Sequence, residues 1–228
     1  PTDLAPYYFR DPATGKPAGL AVDFTDALAR RMGVQVEYRF AKAWEEVDQL
    51  LLSGKADLIP LRVINLETQK LFQFSEVLDV APISYLVRST DSTPKRVAPG
   101  KRVGVMKNST ALSMLKGRSD ITLVTYESLQ HLLMDLVTGH LDLVLTFRNT
   151  IMQLAEQADL DDQGRGIEPP ALESRRAIAV HPDNRALLLQ INSMINQFHG
   201  SQEYLDIFQR WMGKPKSWWT VQRTVAVT

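Results

Sequence analysis

No cysteine occurs among the 228 residues, which excludes disulfides, thiolate metal sites and cysteine nucleophiles. No charge of either sign prevails, because 26 Lys and Arg balance 26 Asp and Glu. The chain therefore has no global field to draw nucleic acid or an anionic membrane, and no nucleic-acid partner is expected. No apolar run approaches the ~20 residues of a spanning helix. No signal peptide opens the sequence, and a mature chain would already have lost one. Histidine is scarce: His131, His140, His181 and His199 have no metal-ligand spacing to one another. No glycine-rich phosphate loop follows a strand, and the acid pairs Glu45-Glu46 and Asp161-Asp162 read as solvated charge. No metal, no cofactor and no catalytic residue is expected.

What is present is an ordinary globular balance, 44% hydrophobic and 23% charged, long enough for one large domain or two lobes. "DFTDALARRMG" reads as a helix with Asp23 as N-cap, Phe24, Ala27, Leu28 and Met32 on one face, and Gly33 as its stop. "VQVEYRF" alternates as a half-buried strand. "WEEVDQLLLSG" repeats the helix pattern, and "ADLIPL" reads as a buried parallel strand. The pattern then restarts with "KRVGV", "STALSMLKG", "ITLVTY", "ESLQHLLMDLVTG" and "LDLVL". A turn-rich stretch, "DDQGRGIEPPAL", leads to the strand "RRAIAV" and two helices, "NRALLLQINSMINQF" and "SQEYLDIFQRWMG". Strands alternating with helices predict parallel sheets. Two such α/β units predict two lobes: residues 1–87 with 181–228, and residues 91–175. The chain is expected to cross between them near 86–90 and 174–180. A ligand would bind in the cleft, beyond the carboxyl ends of the strands.

The segments "APYYFRDPATGKPAGLAVDFTDALARRMG", "LLSGKADLIP", "FQFSE", "GKRVGVMKNST", "VTGHLDLVL" and "YLDIFQRWMG" resemble, in order and spacing, the family 3 extracytoplasmic solute-binding proteins. The resemblance implies a two-lobed, periplasmic-binding-protein-like (type II) α/β fold. Such Venus-flytrap modules serve importers of amino acids and the sensor domains of membrane-bound kinases and cyclases. The family's cleft aromatics map onto Tyr7 and Trp44, for which a plain core role is the alternative. Its carboxylate-holding Thr-x-x-Arg turn maps onto Asn65-Leu66-Glu67-Thr68, so the arginine is missing. Thr68 cannot make the bidentate pair of a guanidinium. Arg62, followed by Val63, stands six residues earlier at a strand end. A ligand anion, an internal acid such as Glu67, or solvent must meet its charge. In the second lobe Ser109 and Thr110 open a helix, as anion-binding donors or as an ordinary cap. The acid that takes a ligand's ammonium maps onto Phe147, which accepts no hydrogen bond.

Both ends of the amino-acid clamp are thus altered. The expected function is a periplasmic sensor domain of a membrane-anchored signalling protein, binding a small anionic or amino-acid-like solute. The alternatives are a free binding protein of an importer and, as a minor reading, a cyclohexadienyl-dehydratase-like enzyme. A homodimer or a tandem flytrap neighbour is the further partner expectation. The tail 214–228 ends in "TVQRTVAVT", which reads as a strand. Beside the family it takes the place of the opening strand of lobe 1 in permuted order, or opens a following tandem copy. Otherwise it is a linker toward a membrane segment.

Overall fold

The computed structural model describes residues 3–92, 97–107 and 109–213; the tail 214–228 lies outside them. In chain order the elements are β1 (Asp3–Leu4), β2 (Tyr8–Arg10), β3 (Pro17–Ala18), α1 (Leu20–Met32), α2 (Trp44–Leu52), β4 (Leu58–Val63), α3 (Thr68–Leu71), β5 (Gln73–Phe74) and β6 (Asp79–Arg88). There follow β7 (Arg102–Met106), α4 (Thr110–Leu115), β8 (Thr122–Tyr126), α5 (Leu129–Val137), β9 (Leu143–Phe147), α6 (Arg148–Gln157) and β10 (Gly164–Gly166). The chain closes with β11 (Leu172–Val180), α7 (Arg185–Phe198) and α8 (Gln202–Met212). Among the described residues no helix is long and apolar enough to cross a membrane. The chain forms two compact units, one of residues 1–79 with 175–228 and the other of residues 80–174. The segment 86–90, expected as a crossing, lies within the second unit, because the apolar run from Asp79 to Arg88 continues as one strand.

In the first unit β2 pairs with β1 and β3, and β11 pairs with β4 on one side and β5 on the other, all antiparallel. The expected parallel pairing is not seen there among the described residues. Among the described residues "VQVEYRF" has no ladder partner, and β4 joins β11 antiparallel instead. Pro60 has no N–H to give a ladder. Opposite it the register slips between Ala177 and Ala179, and Ile178 bonds Ser75 instead. Its carbonyl accepts from the Ser75 amide at 2.9 Å, and its amide donates to Ser75 Oγ at 3.0 Å.

Helix α1 begins three residues before the expected Asp23 cap, with Gly19 as its N-cap at φ 124°. Glycine is required there, since a Cβ would stand 2.4 Å from the Tyr7 carbonyl oxygen. Asp23 instead accepts from Arg210 Nη1 at 2.9 Å and Trp211 Nε1 at 2.8 Å, which fixes the end of α8 on α1. Gly33 closes α1 in the left-handed conformation, as its sequence position predicts. The apolar faces of α1, α7 and α8 meet at Phe24, Phe198 and Tyr204. Phe24 stacks on Tyr204 at 5.1 Å and meets Phe198 edge-on at 5.3 Å. Such pairs add about 0.5–1.5 kcal/mol each beyond their burial.

The second unit is a mixed sheet in the order β10-β6-β9-β7-β8. Both pairings of β7, with β8 and with β9, are parallel, while β6 is antiparallel to β9 and β10. The turn-rich stretch 161–172 thus contributes a strand, β10. Helix α6 had no clear sequence signal, since its apolar residues are few and it opens directly on Phe147 without a side-chain cap.

A buried ion pair sits where the chain leaves and re-enters the first unit. Arg176 Nε donates to Asp79 Oδ2 at 2.9 Å and Nη2 bonds the same oxygen, both side chains being about 5% exposed or less. The Arg176 guanidinium also lies 3.6 Å from the centroid of the Tyr7 ring. Replacing Asp79 by Ala strands this cation and should cost about 3–5 kcal/mol in urea unfolding, whereas Asp79→Leu with Arg176→Met should recover most of that loss. If the single variant unfolds like the parent, the pair is not needed for stability.

Glu203 bridges Arg30 at 2.8 Å and Arg31 at 2.5 Å. The Arg30 hydrogen bond holds its carboxyl below the usual range against a burial that opposes it, with Arg31 assisting. Its folded value is depressed. Its contribution is therefore present above the unfolded value of about 4.3 and lost as pH falls through the lower folded value. Glu203→Gln should cost less than about 1 kcal/mol at neutral pH, and this difference should shrink in melts as pH falls below the unfolded value.

Candidate functional site

Helix α2 places Trp44 and Asp48 four residues apart, hence on one face, and that face meets the end of β4. Asp48 takes the Arg62 guanidinium in a fork: Nε to Oδ1 at 3.1 Å and Nη2 to Oδ2 at 2.9 Å. The side chains are 13% and 14% exposed. Trp44 covers the guanidinium plane at 4.1 Å from its ring centroid, a geometry that attracts the cation to the ring. Tyr8 completes the cluster, edge-on to Trp44 at 5.8 Å, with its hydroxyl on the Leu61 carbonyl at 3.4 Å. Burial pushes the Tyr8 phenol well above its usual range, while Arg176 and Arg62 act weakly against it. The acid that meets Arg62 is thus Asp48. Glu67, the acid suggested by proximity in sequence, pairs with Lys70 at the surface. The signal for Asp48 was present in the Trp44-x-x-x-Asp48 spacing.

The neighbouring turn is closed on itself. Asn65 Oδ1 accepts from the amides of Glu67 and Thr68 at 3.0 and 2.9 Å, and Thr68 Oγ1 accepts from the Asn65 amide at 3.0 Å. The Thr68 hydroxyl donates to the Val63 carbonyl at 2.8 Å. Thr68 is only 3% exposed and caps this turn. Val63 contributes its carbonyl to that cap, and Asn65 stays at the surface. Tyr7 is 2% exposed and enclosed by the first unit's core, as its alternative core role would have it, with its ring against the Arg176 guanidinium.

In the second unit Ser109 caps α4, accepting from the Leu112 amide at 3.1 Å while its hydroxyl donates to the Met106 carbonyl at 2.6 Å. Thr110 is the first residue of a helix six residues long. Phe147 ends β9 half-buried, against the cluster containing Ile83 and Leu145. The next residue, Arg148, is buried and ion-paired with Glu168. Gly166 makes room for it, because a Cβ there would stand 2.7 Å from Arg148 Cδ. Neither Arg148 nor Arg176 was singled out in the sequence. For Arg176 the available signal was a charged residue leading an apolar strand, "RAIAV". Among the described residues no three His, Asp or Glu side chains gather as a metal site.

The profile of the bacterial extracellular solute-binding proteins, family 3, matches residues 1–214. The chain belongs to this family. Its α/β fold of two compact units is the one the resemblance implied. The L-cystine-binding protein TcyJ of Escherichia coli K12 is 24% identical over 204 residues, 87% of this chain and 76% of that protein. The arginine-binding periplasmic protein of Mannheimia haemolytica is 23% identical over 203 residues, 87% and 84% of the two chains. A solved histidine kinase sensor domain with similarity to periplasmic binding proteins superposes with a TM-score of 0.75 at 23% identity, covering 92% of each chain.

For this family 3 domain, the fork between Arg62 and Asp48 is expected to be a coupled unit. A double-mutant cycle with Arg62→Ala and Asp48→Ala should give a coupling of about 1–3 kcal/mol in urea unfolding. Additive effects would mean that the two charges are separately solvated.

Proposed function

We propose that this family 3 domain is the extracytoplasmic ligand-sensing part of a membrane-anchored signalling protein, and that it binds a small carboxylate-bearing solute through Arg62. The observation that carries the reading is the loss of the amino-acid clamp. The turn that would hold an α-carboxylate has a buried, internally bonded Thr68 in place of arginine. The position that would take an ammonium is Phe147. Arg62, with Trp44 over its face, is the guanidinium on α2 and β4 that remains partly open to solvent. Asp48 engages Nε and Nη2, which leaves Nη1 outside the pair. An incoming carboxylate would take that nitrogen or displace Asp48. The likeness to a kinase sensor domain supports the signalling role. Signalling requires only that the solute bind one conformation better than another.

A second reading is favoured by the binding proteins for cystine and arginine among the relatives. On it, the domain is a free periplasmic receptor that hands an amino acid to an importer. Neither reading is enzymatic, and both place the domain outside the cytoplasm.

The test is a thermal-shift panel of amino acids, mono- and dicarboxylates, keto acids and polyamines, followed by calorimetry on any hit. A ligand at a hundred times its Kd adds about 2.7 kcal/mol, a rise of roughly 5–10 °C for a chain of this length. Carboxylates lacking an amine should score as well as their amino-acid counterparts, and Arg62→Ala should abolish the shift without loss of the cooperative melt. A strict requirement for the ammonium group, with Arg62→Ala binding normally, would reject the anionic reading and favour the importer receptor.

A further inference from the structure

A hydroxyl without a partner lies inside the second unit. The Ser84 side chain is wholly buried, and its Oγ has no hydrogen-bond partner among the described residues. Across the β6–β9 ladder Ser84 faces Thr146, itself buried, and two residues along Leu86 faces Val144. Leu86 and Val144 pack with Ile151 and Ala155 of α6, so Ser84 and Thr146 share the sheet face that α6 covers. They stand at the end of that face where α6 begins, since the helix opens directly on Phe147. Its first amides have no intrahelical acceptor, and no side chain caps them. A cation crosses the same face. Strand β10 runs beside β6 with Gly166 opposite Leu86, and a Cβ on Gly166 would stand 2.7 Å from Arg148 Cδ. The Arg148 side chain therefore passes over β6 from α6 to β10. The Ile167 amide donates to the Tyr85 carbonyl at 2.8 Å, which continues the register and brings Glu168 alongside Ser84. Arg148 ends on Glu168; the two side chains are 8% and 52% exposed. The acid thus meets the guanidinium from the solvent side and leaves the Ser84 hydroxyl unmet.

The geometry points to a carboxylate-binding site in the second unit, formed by Arg148, Ser84, Thr146 and the N-terminus of α6, with Glu168 as its tethered occupant. A guanidinium, two hydroxyls and the amides at the positive end of a helix dipole are the donors that hold an anion. A free carboxylate that displaces Glu168 repeats the bond to Arg148 and adds the hydroxyl that Glu168 does not reach. A buried hydroxyl left unmet costs free energy, so the exchange favours an occupant that sits deeper than the tethered acid. The space between buried side chains selects a small, unbranched carboxylate. Arg62 belongs to the first unit, so this site is separate from the contact proposed there.

Acetate is the probe, with chloride at equal ionic strength as the control. In heteronuclear NMR spectra of the parent chain, the amides of Arg148, Asn149 and Thr150 should shift saturably with acetate and not with chloride. Glu168→Gln removes the competing carboxylate at nearly constant size, so acetate should bind at least about tenfold tighter and raise the melting temperature further than in the parent. Ser84→Ala should weaken acetate by about tenfold, the loss of one hydrogen bond to a charged group. The shifts at 148–150 should persist in Arg62→Ala. Unmoved amides at 148–150 or equal affinity in the parent and Glu168→Gln overturns the proposal. Loss of the response in Arg62→Ala also overturns it, by assigning the acetate to the first unit. Should Glu168→Gln fold poorly, Ser84→Ala in the parent carries the same test, and unchanged acetate affinity there overturns the proposal.

Discussion

A guanidinium and a carboxylate removed from water are tolerable only together, and the first unit is organised around one such pair. Asp79 is the last residue of that unit before the chain departs, and Arg176 stands two positions into its return. Because the pair ties these two points, the strands that carry the chain out and back begin from a common, fixed place. Tyr7, whose ring lies against the Arg176 guanidinium, extends the constraint to the loop before α1. Gly19 extends it further, since its missing side chain lets the Tyr7 carbonyl receive the Ala21 amide at 2.8 Å. The start of α1, the core aromatics and the chain crossings are thus referred to one buried cation.

The candidate ligand contacts hang from the same framework but obey a different balance. Arg62 is not sealed like Arg176; a helix supplies both its neutralising acid and its aromatic cover, and some solvent remains. Around it, the positions onto which the resemblance maps the family's clamp serve the fold. Thr68 serves its own turn, Ser109 serves its own helix, and Phe147 is a hydrophobic strand end.

Helices with strong periodicity, such as α5 and α7, were legible in the sequence because a single apolar face fixes both their type and orientation. The ends were less so. Asp23 looked like a cap by composition, yet Gly19 starts the helix, because a close approach to Tyr7 decides the matter and no local pattern records it. "VQVEYRF" has a strand's alternation, but alternation records only which side chains share a face, and the hydrogen-bond partner that makes a strand is not written in the local pattern. In the site, Trp44 and Arg62 were named separately, and the structure brings the indole over the guanidinium. Sequence spacing pointed to Glu67 as the internal acid because it is near in the chain; the helix brought Asp48 nearer in space. Arg148 and Arg176 went unnoticed because burial of a charge depends on partners 20 and 97 residues away.

The fork on Arg62 has a consequence for selectivity. On the proposed reading, an anion that displaced Asp48 would exchange one carboxylate for another, with bonds formed repeating bonds broken, whereas one that took Nη1 would leave the fork in place. Discrimination passes to whatever else the solute carries: a second negative group, or a flat body that shares the indole of Trp44 with the cation.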